Sequence, residues 1–200
     1  MHGLVNRSIQ CFVEDTYGQS SWDHIVRDAR LDFRDFEAML AYSDTITEAV
    51  LEAAAAHLGR DRTALLEDLG TYLVTHAHMN AVRRLLRFGG HTFEDFLQSL
   101  DDLHDRVKLA MPDLELPHLE LEQTGSDSFS LECHFDRPGY GAVLQGILRA
   151  LADDYGALVV LDLEQDDPKQ GPPCEILKIQ LLEKAFARGR SFSLAGHVAG

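Results

Sequence analysis

Basic residues are scarce in this chain. Eighteen lysines and arginines stand against 33 aspartates and glutamates, so the 200 residues carry a formal charge of −15. Phosphates repel such a surface, which argues against nucleic-acid and anionic-membrane partners. No uninterrupted apolar run of about 18 residues is present, which excludes a spanning helix. The opening MHGLVNRSIQCFVED is charged too early for a secretory leader. Three cysteines, Cys11, Cys133 and Cys174, are too few and too dispersed for a disulfide framework or paired zinc knuckles. There is no phosphate-binding glycine loop, no His-Glu-x-x-His and no Gly-x-Ser-x-Gly. Internal repeats and low-complexity segments are missing too. The expectation is a cytoplasmic protein with a substantial core, since 45% of its residues are hydrophobic.

The first three fifths of the chain reads as helix. Val5, Ile9, Phe12 and Val13 recur at helical spacing up to Tyr17-Gly18, and Trp22, Ile25 and Val26 mark a short second helix. Residues 31–42 connect, with Phe33 and Phe36 as anchors. Thr45-Ile-Thr-Glu48 has the form of a capping box ahead of Val50, Ala54 and Leu58. A helix starting at Asp61 or Thr63 carries Leu65, Leu66, Leu69, Leu73 and His76 on one side, and another is expected over 79–88. The longest helix is expected from Thr92 to Met111, stopped by Pro112.

After Pro117 the period changes to two. His118–Gln123 and Ser128–Phe135 alternate around a Thr124–Asp127 turn, a hairpin signature. A helix through Val143, Ile147 and Leu151 follows, then strands near 157–163 and 175–182 flanking a polar loop at 166–173. The order is that of an α+β fold with an antiparallel sheet of about four strands.

His104 stands beside Leu103 on the apolar stripe of the expected long helix. A buried imidazole there is either a metal or haem ligand or a core histidine bonded to a carbonyl, and spacing alone favours the core histidine. Strand alternation puts Cys133, Phe135 and Arg137 on the face of Phe129 and Leu131. A buried Arg137 needs an anionic partner, whereas a strand-end arginine simply turns to solvent. His76 and His78 diverge by about 200° on a helix, so they share no metal. Asp101, Asp102 and Asp105 lack calcium-loop spacing and read as a solvated face.

Taken together, Met1-His-Gly-Leu-Val-Asn-Arg7, Tyr17-Gly18, Trp22, and Leu103-His104 followed thirteen residues later by Pro117 resemble the H-NOX family, the haem nitric oxide/oxygen binding domains. The resemblance covers about residues 1–185 as one domain, with a distal helical subdomain over 1–62, a proximal α/β subdomain over 63–185, and a tail over 186–200. It implies haem b held between the two. His104 matches the proximal iron ligand, Pro117 a proline pressing on the porphyrin, and Arg137 the arginine of the family's Tyr-x-Ser-x-Arg propionate motif. In that motif Cys133 and Phe135 replace the two hydroxyl residues, and each lost charge-assisted bond weakens haem binding by about 1–3 kcal/mol.

The resemblance also places Ala142 where oxygen-binding members carry a tyrosine. Tyr140 is about 200° away on a helix, so no phenol is expected at the gas. Val5, Ile9, Leu73 and Gly146 would line an apolar distal wall, which favours NO and CO over O₂. His76, one turn beyond Leu73, is either a sixth iron ligand or a residue of the pocket rim. The implied function is a non-catalytic gas sensor. NO bound opposite His104 would break the iron–histidine bond and release the long helix. A histidine kinase or diguanylate cyclase in trans would read the change. Two alternatives remain. One keeps the fold but loses stable haem, and serves as another ligand-binding or protein-interaction module. The other senses redox state through two neighbouring thiols.

Overall fold

The computed structural model describes residues 1–79, 83, 84, 86, 90–165, 174–186 and 189. Four helices come first: α1 (Gly3–Tyr17), α2 (Gln19–Asp28), α3 (Asp44–Leu58) and α4 (Arg62–Thr75). Two short helices follow, α5 (Phe93–Gln98) and α6 (Leu103–Ala110). Then come the hairpin strands β1 (His118–Gln123) and β2 (Ser128–His134), helix α7 (Tyr140–Tyr155), and strands β3 (Leu158–Gln165) and β4 (Cys174–Glu183). The four strands form one antiparallel sheet in the order β1-β2-β4-β3. This is the α+β fold expected. Most of the helix expected over 79–88, the loop at 166–173 and most of the tail after 186 lie outside the described residues.

Local chemistry sets the helix ends. Gly18 (φ 87°) separates α1 from α2, and left-handed Gly59 closes α3. Asp61 caps α4, accepting from the Thr63 and Ala64 amides, a contribution of about 1 kcal/mol. The capping box expected at Thr45–Glu48 does not form. α3 begins earlier, at Asp44, and the Thr45 hydroxyl turns to Ser43 at 2.8 Å. Glu48 is instead gripped by both terminal nitrogens of Arg62, at 2.6 and 3.0 Å.

The single long helix expected from Thr92 to Met111 is two helices. Its capping box does form, between Thr92 and Asp95. The break lies at Ser99–Asp102, where polar side chains compete for the helical carbonyls. Ser99 donates its hydroxyl to the Phe96 carbonyl at 2.7 Å, and Arg106 donates to the Ser99 carbonyl at 2.7 Å. The apolar stripe survives the break, since Phe93, Phe96, Leu97, Leu100, Leu103 and Val107 all enter one core. α7, not the His104 segment, is the longest helix.

Among the described residues there are two hydrophobic cores. The first joins α1, α2, α3 and most of α4 around Trp22, Phe12 and Leu65, and includes Ala142 of α7. Trp22 is fully buried and donates its indole N–H to the Arg34 carbonyl at 2.9 Å. Gln10, equally buried, accepts from the Phe36 amide and donates to Asp35, pinning the 31–42 connection onto α1. The second core lies between the sheet, α5, α6 and α7.

α4 and α7 join the two cores backbone to backbone. A Cβ at Gly70 would overlap the Val143 carbonyl, and one at Gly146 would overlap the Glu67 carbonyl and crowd the Thr71 amide. Both positions therefore require glycine. Gly146, expected on the cavity wall, is instead part of this helix crossing.

Candidate functional site

Between the two cores lies a cavity of about 240 Å³. One wall is α1 and α4, through Val5, Ile9, Leu66, Leu69 and Leu73. The other wall is α6 with Leu114, Leu116 and Pro117, and α7 with Tyr140, Leu144 and Ile147. Nearly all of the lining is apolar. Such a space accepts a hydrophobic ligand rather than a charged metabolite.

His104 lies on this wall, in the first turn of α6. Its Nδ1 is buried without a hydrogen-bond partner. Buried polar atoms are normally paired, so an orphaned ring nitrogen points to a missing partner. The core histidine bonded to a carbonyl is therefore not what forms. Pro117 is buried on the same wall.

Arg137 stands at the rim. It does not continue the strand face, because β2 ends at His134 and Arg137 lies in the following turn. Its Nε donates to Asp44 at 2.8 Å and an Nη to Glu115 at 3.0 Å. The guanidinium also rests on the Phe135 ring, 5.0 Å from its centre. Asp44 takes the N-terminal amine as well, at 2.7 Å. That amine and Arg137 hold its carboxyl below the ordinary value of 3.8. His104, Lys108, Glu115, Phe135 and Arg137 line a second, more polar pocket that meets the first at His104.

Three other expected site residues are placed elsewhere. Ala142 is 1% exposed and packs in the first core, not on the cavity. His76 stacks on Tyr72, ring centres 4.7 Å apart, and its Nδ1 lies 3.5 Å from Asp15, off the cavity wall. Cys133 belongs to the second core, where burial pushes its thiol up to about 12. Cys133 faces Glu175 in the register while Cys174 faces His134, so the pleat puts the two thiols on opposite faces. That arrangement gives no disulfide switch.

Tyr140 reverses another expectation. It lines the cavity, against Phe135 at 4.7 Å, with its hydroxyl 3.8 Å from the Met1 sulfur. Burial pushes its phenol up to about 12. The two residues do diverge, as helical geometry requires, but it is Ala142 that turns into the first core and Tyr140, the first residue of α7, that meets the cavity.

Glu175 fixes that turn. Its carboxylate accepts from the Gly139 amide at 3.0 Å and the Gly141 amide at 2.9 Å, at the positive end of α7. Gly139 adopts φ 105°, a conformation that suits glycine. The sequence signal for Gly139 was the Pro138-Gly139 pair. Glu175 gave none, because its partners are distant in sequence.

The haem-NO-binding family model matches residues 2–162. Soluble guanylate cyclase gcy-31 of Caenorhabditis elegans is 24% identical over 170 residues, covering 83% of this chain and 24% of its own length. Soluble guanylate cyclase 89Db of Drosophila melanogaster is 22% identical over 158 residues, covering 79% and 24%. The chain thus spans about a quarter of these curated relatives. Among solved structures, the Fe(II) unliganded H-NOX protein from K. algicida matches with a TM-score of 0.79 at 17% identity, covering 94% of this chain and all of that one. An H-NOX protein from S. oneidensis in the Fe(II)NO state matches at 0.76 and 16% identity, covering 92% and 100%. The chain belongs to the haem-NO-binding, or H-NOX, family of haem-based sensor domains.

Proposed function

We propose that this chain is a gas sensor that binds NO and CO at ferrous haem b and signals to a separate partner. The family resemblance suggests a histidine kinase or diguanylate cyclase as that partner. The observation that carries the reading is the His104 imidazole on the wall of an apolar cavity, with a buried ring nitrogen lacking a partner. His104 would hold the iron, Pro117 would press on the ring, and the aliphatic wall of α1 and α4 would enclose it. Arg137 and Lys108, which flank the polar pocket, would take the propionates. When bound, ferrous haem supplies the coordination position for a diatomic gas.

The chain's own residues would transmit the signal. His104 sits on an eight-residue helix with turns at both ends. A pull on its ring acts on a short lever rather than a long rod. Leu103 and Val107 carry the movement into the second core. The signal is then a population shift read by a partner with unequal affinity for the two states.

A second reading, an H-NOX fold without stable haem, has one observation in its favour. Arg137 already pairs with Asp44 and Glu115, so a propionate would have to share the guanidinium with two other carboxylates. The absorbance of reduced protein expressed with ample haem separates the two. A histidine-ligated Soret band that shifts with NO supports the sensor. A colourless protein that rejects added haem supports the second reading.

A further inference from the structure

The outer face of the sheet carries a second constellation, remote in function from the cavity. On β2, Glu132 and His134 share the face opposite Leu131 and Cys133. On β4, Cys174 lies directly across from His134. The ligand atoms of Glu132, His134 and Cys174 all lie within 4.8 Å of one another. His134 Nε2 is 3.2 Å from the Glu132 carboxylate. On the other side, β1 places His118 across from His134 and Glu120 across from Glu132. The two imidazole centres are 6.4 Å apart.

We propose that Glu132, His134 and Cys174 form a zinc site, with His118 adjacent as a source of a fourth ligand. One thiolate, one imidazole and one carboxylate is the mixed N/S/O donor set that zinc accepts, and calcium and magnesium reject the sulfur. The donors come from two neighbouring hydrogen-bonded strands, so their spacing is held by the ladder and not by a loop. All three are half-buried, which leaves an entry path from solvent. The Cys174 thiol releases its proton to solvent as the zinc–sulfur bond forms. The site ties β2 to the start of β4, beside Glu175, which holds the turn carrying Tyr140.

The test is equilibrium dialysis of the full chain against Zn²⁺, with metal analysis and zinc-edge X-ray absorption. One zinc per chain is expected, with one sulfur neighbour at about 2.3 Å. Cys174→Ser should remove the sulfur shell. His134→Ala and Glu132→Gln should each weaken uptake by at least the roughly 10–100-fold that losing even an outer-shell partner costs. His104→Ala should leave zinc uptake intact, which separates this site from the cavity. No saturable uptake, or uptake that survives both Cys174→Ser and His134→Ala, would overturn the proposal. So would loss of zinc with His104→Ala alone.

Discussion

The two walls of the cavity are made by different means. The α1/α4 wall consists of aliphatic side chains held by one tightly packed core, and its spacing from α7 is set by Gly70 and Gly146. The opposite wall holds the groups that bond: His104, Arg137 and Tyr140. These sit on a short helix, a turn and a helix start, the places where a chain has most freedom to move. The first wall supplies shape and the second supplies chemistry. A change in the first should act through stability, and a change in the second through ligand binding.

The largest expected effect falls on the second wall. His104→Ala should abolish the histidine-ligated spectrum while leaving the thermal transition little changed, and added imidazole should restore the spectrum. An unaltered spectrum would remove His104 from the site. Next come changes to the core and the helix crossing that hold the first wall in place. Gly146→Ala and Ala142→Tyr should each destabilise the fold by about 1–3 kcal/mol through overpacking, measured by denaturant titration. Haem loss without loss of stability in these variants would erase the distinction between the walls.

Arg137→Ala should lower haem affinity by about tenfold or more, read by haem transfer to a scavenger, since one charge-assisted bond is lost. A smaller effect concerns acid. The Asp44 carboxyl is held low by the N-terminal amine and Arg137, so it stabilises the fold above its ordinary value of 3.8. That contribution fades as pH falls through the lowered folded value. Asp44→Asn should therefore lower stability slightly at neutral pH and flatten the acid limb of the stability curve, the difference from the parent disappearing at low pH. The smallest effect is expected for Tyr140→Phe, which should leave NO and CO binding unchanged. A stable O₂ complex that Tyr140→Phe abolishes would make the phenol a gas-facing donor.

Much of this arrangement was legible in the residues. Alternation in His118–Gln123 and Ser128–His134 gave the hairpin, and the register follows from its four-residue turn. His104 and Pro117 were recognisable as a spaced pair, and both lie on one wall. Periodicity failed where polar side chains redirected the backbone. The Phe93–Val107 stripe is continuous in sequence, yet Ser99 and Arg106 break the helix beneath it. Ala142, Gly146 and His76 were placed by position along a helix, but which face meets the cavity depends on how α4 and α7 cross. That crossing is set by glycines whose only sequence mark is their presence inside helical patterns.

The glycine joint has a consequence for how this architecture tolerates change. The two cores meet through peptide groups, which every residue type shares. Side chains in either core can be exchanged for others of similar volume without altering the distance between α4 and α7. The cavity's width is thereby insulated from drift in the residues around it, provided that two positions remain without a side chain. A chain 17% identical to a solved relative can on this account superpose on it with a TM-score of 0.79.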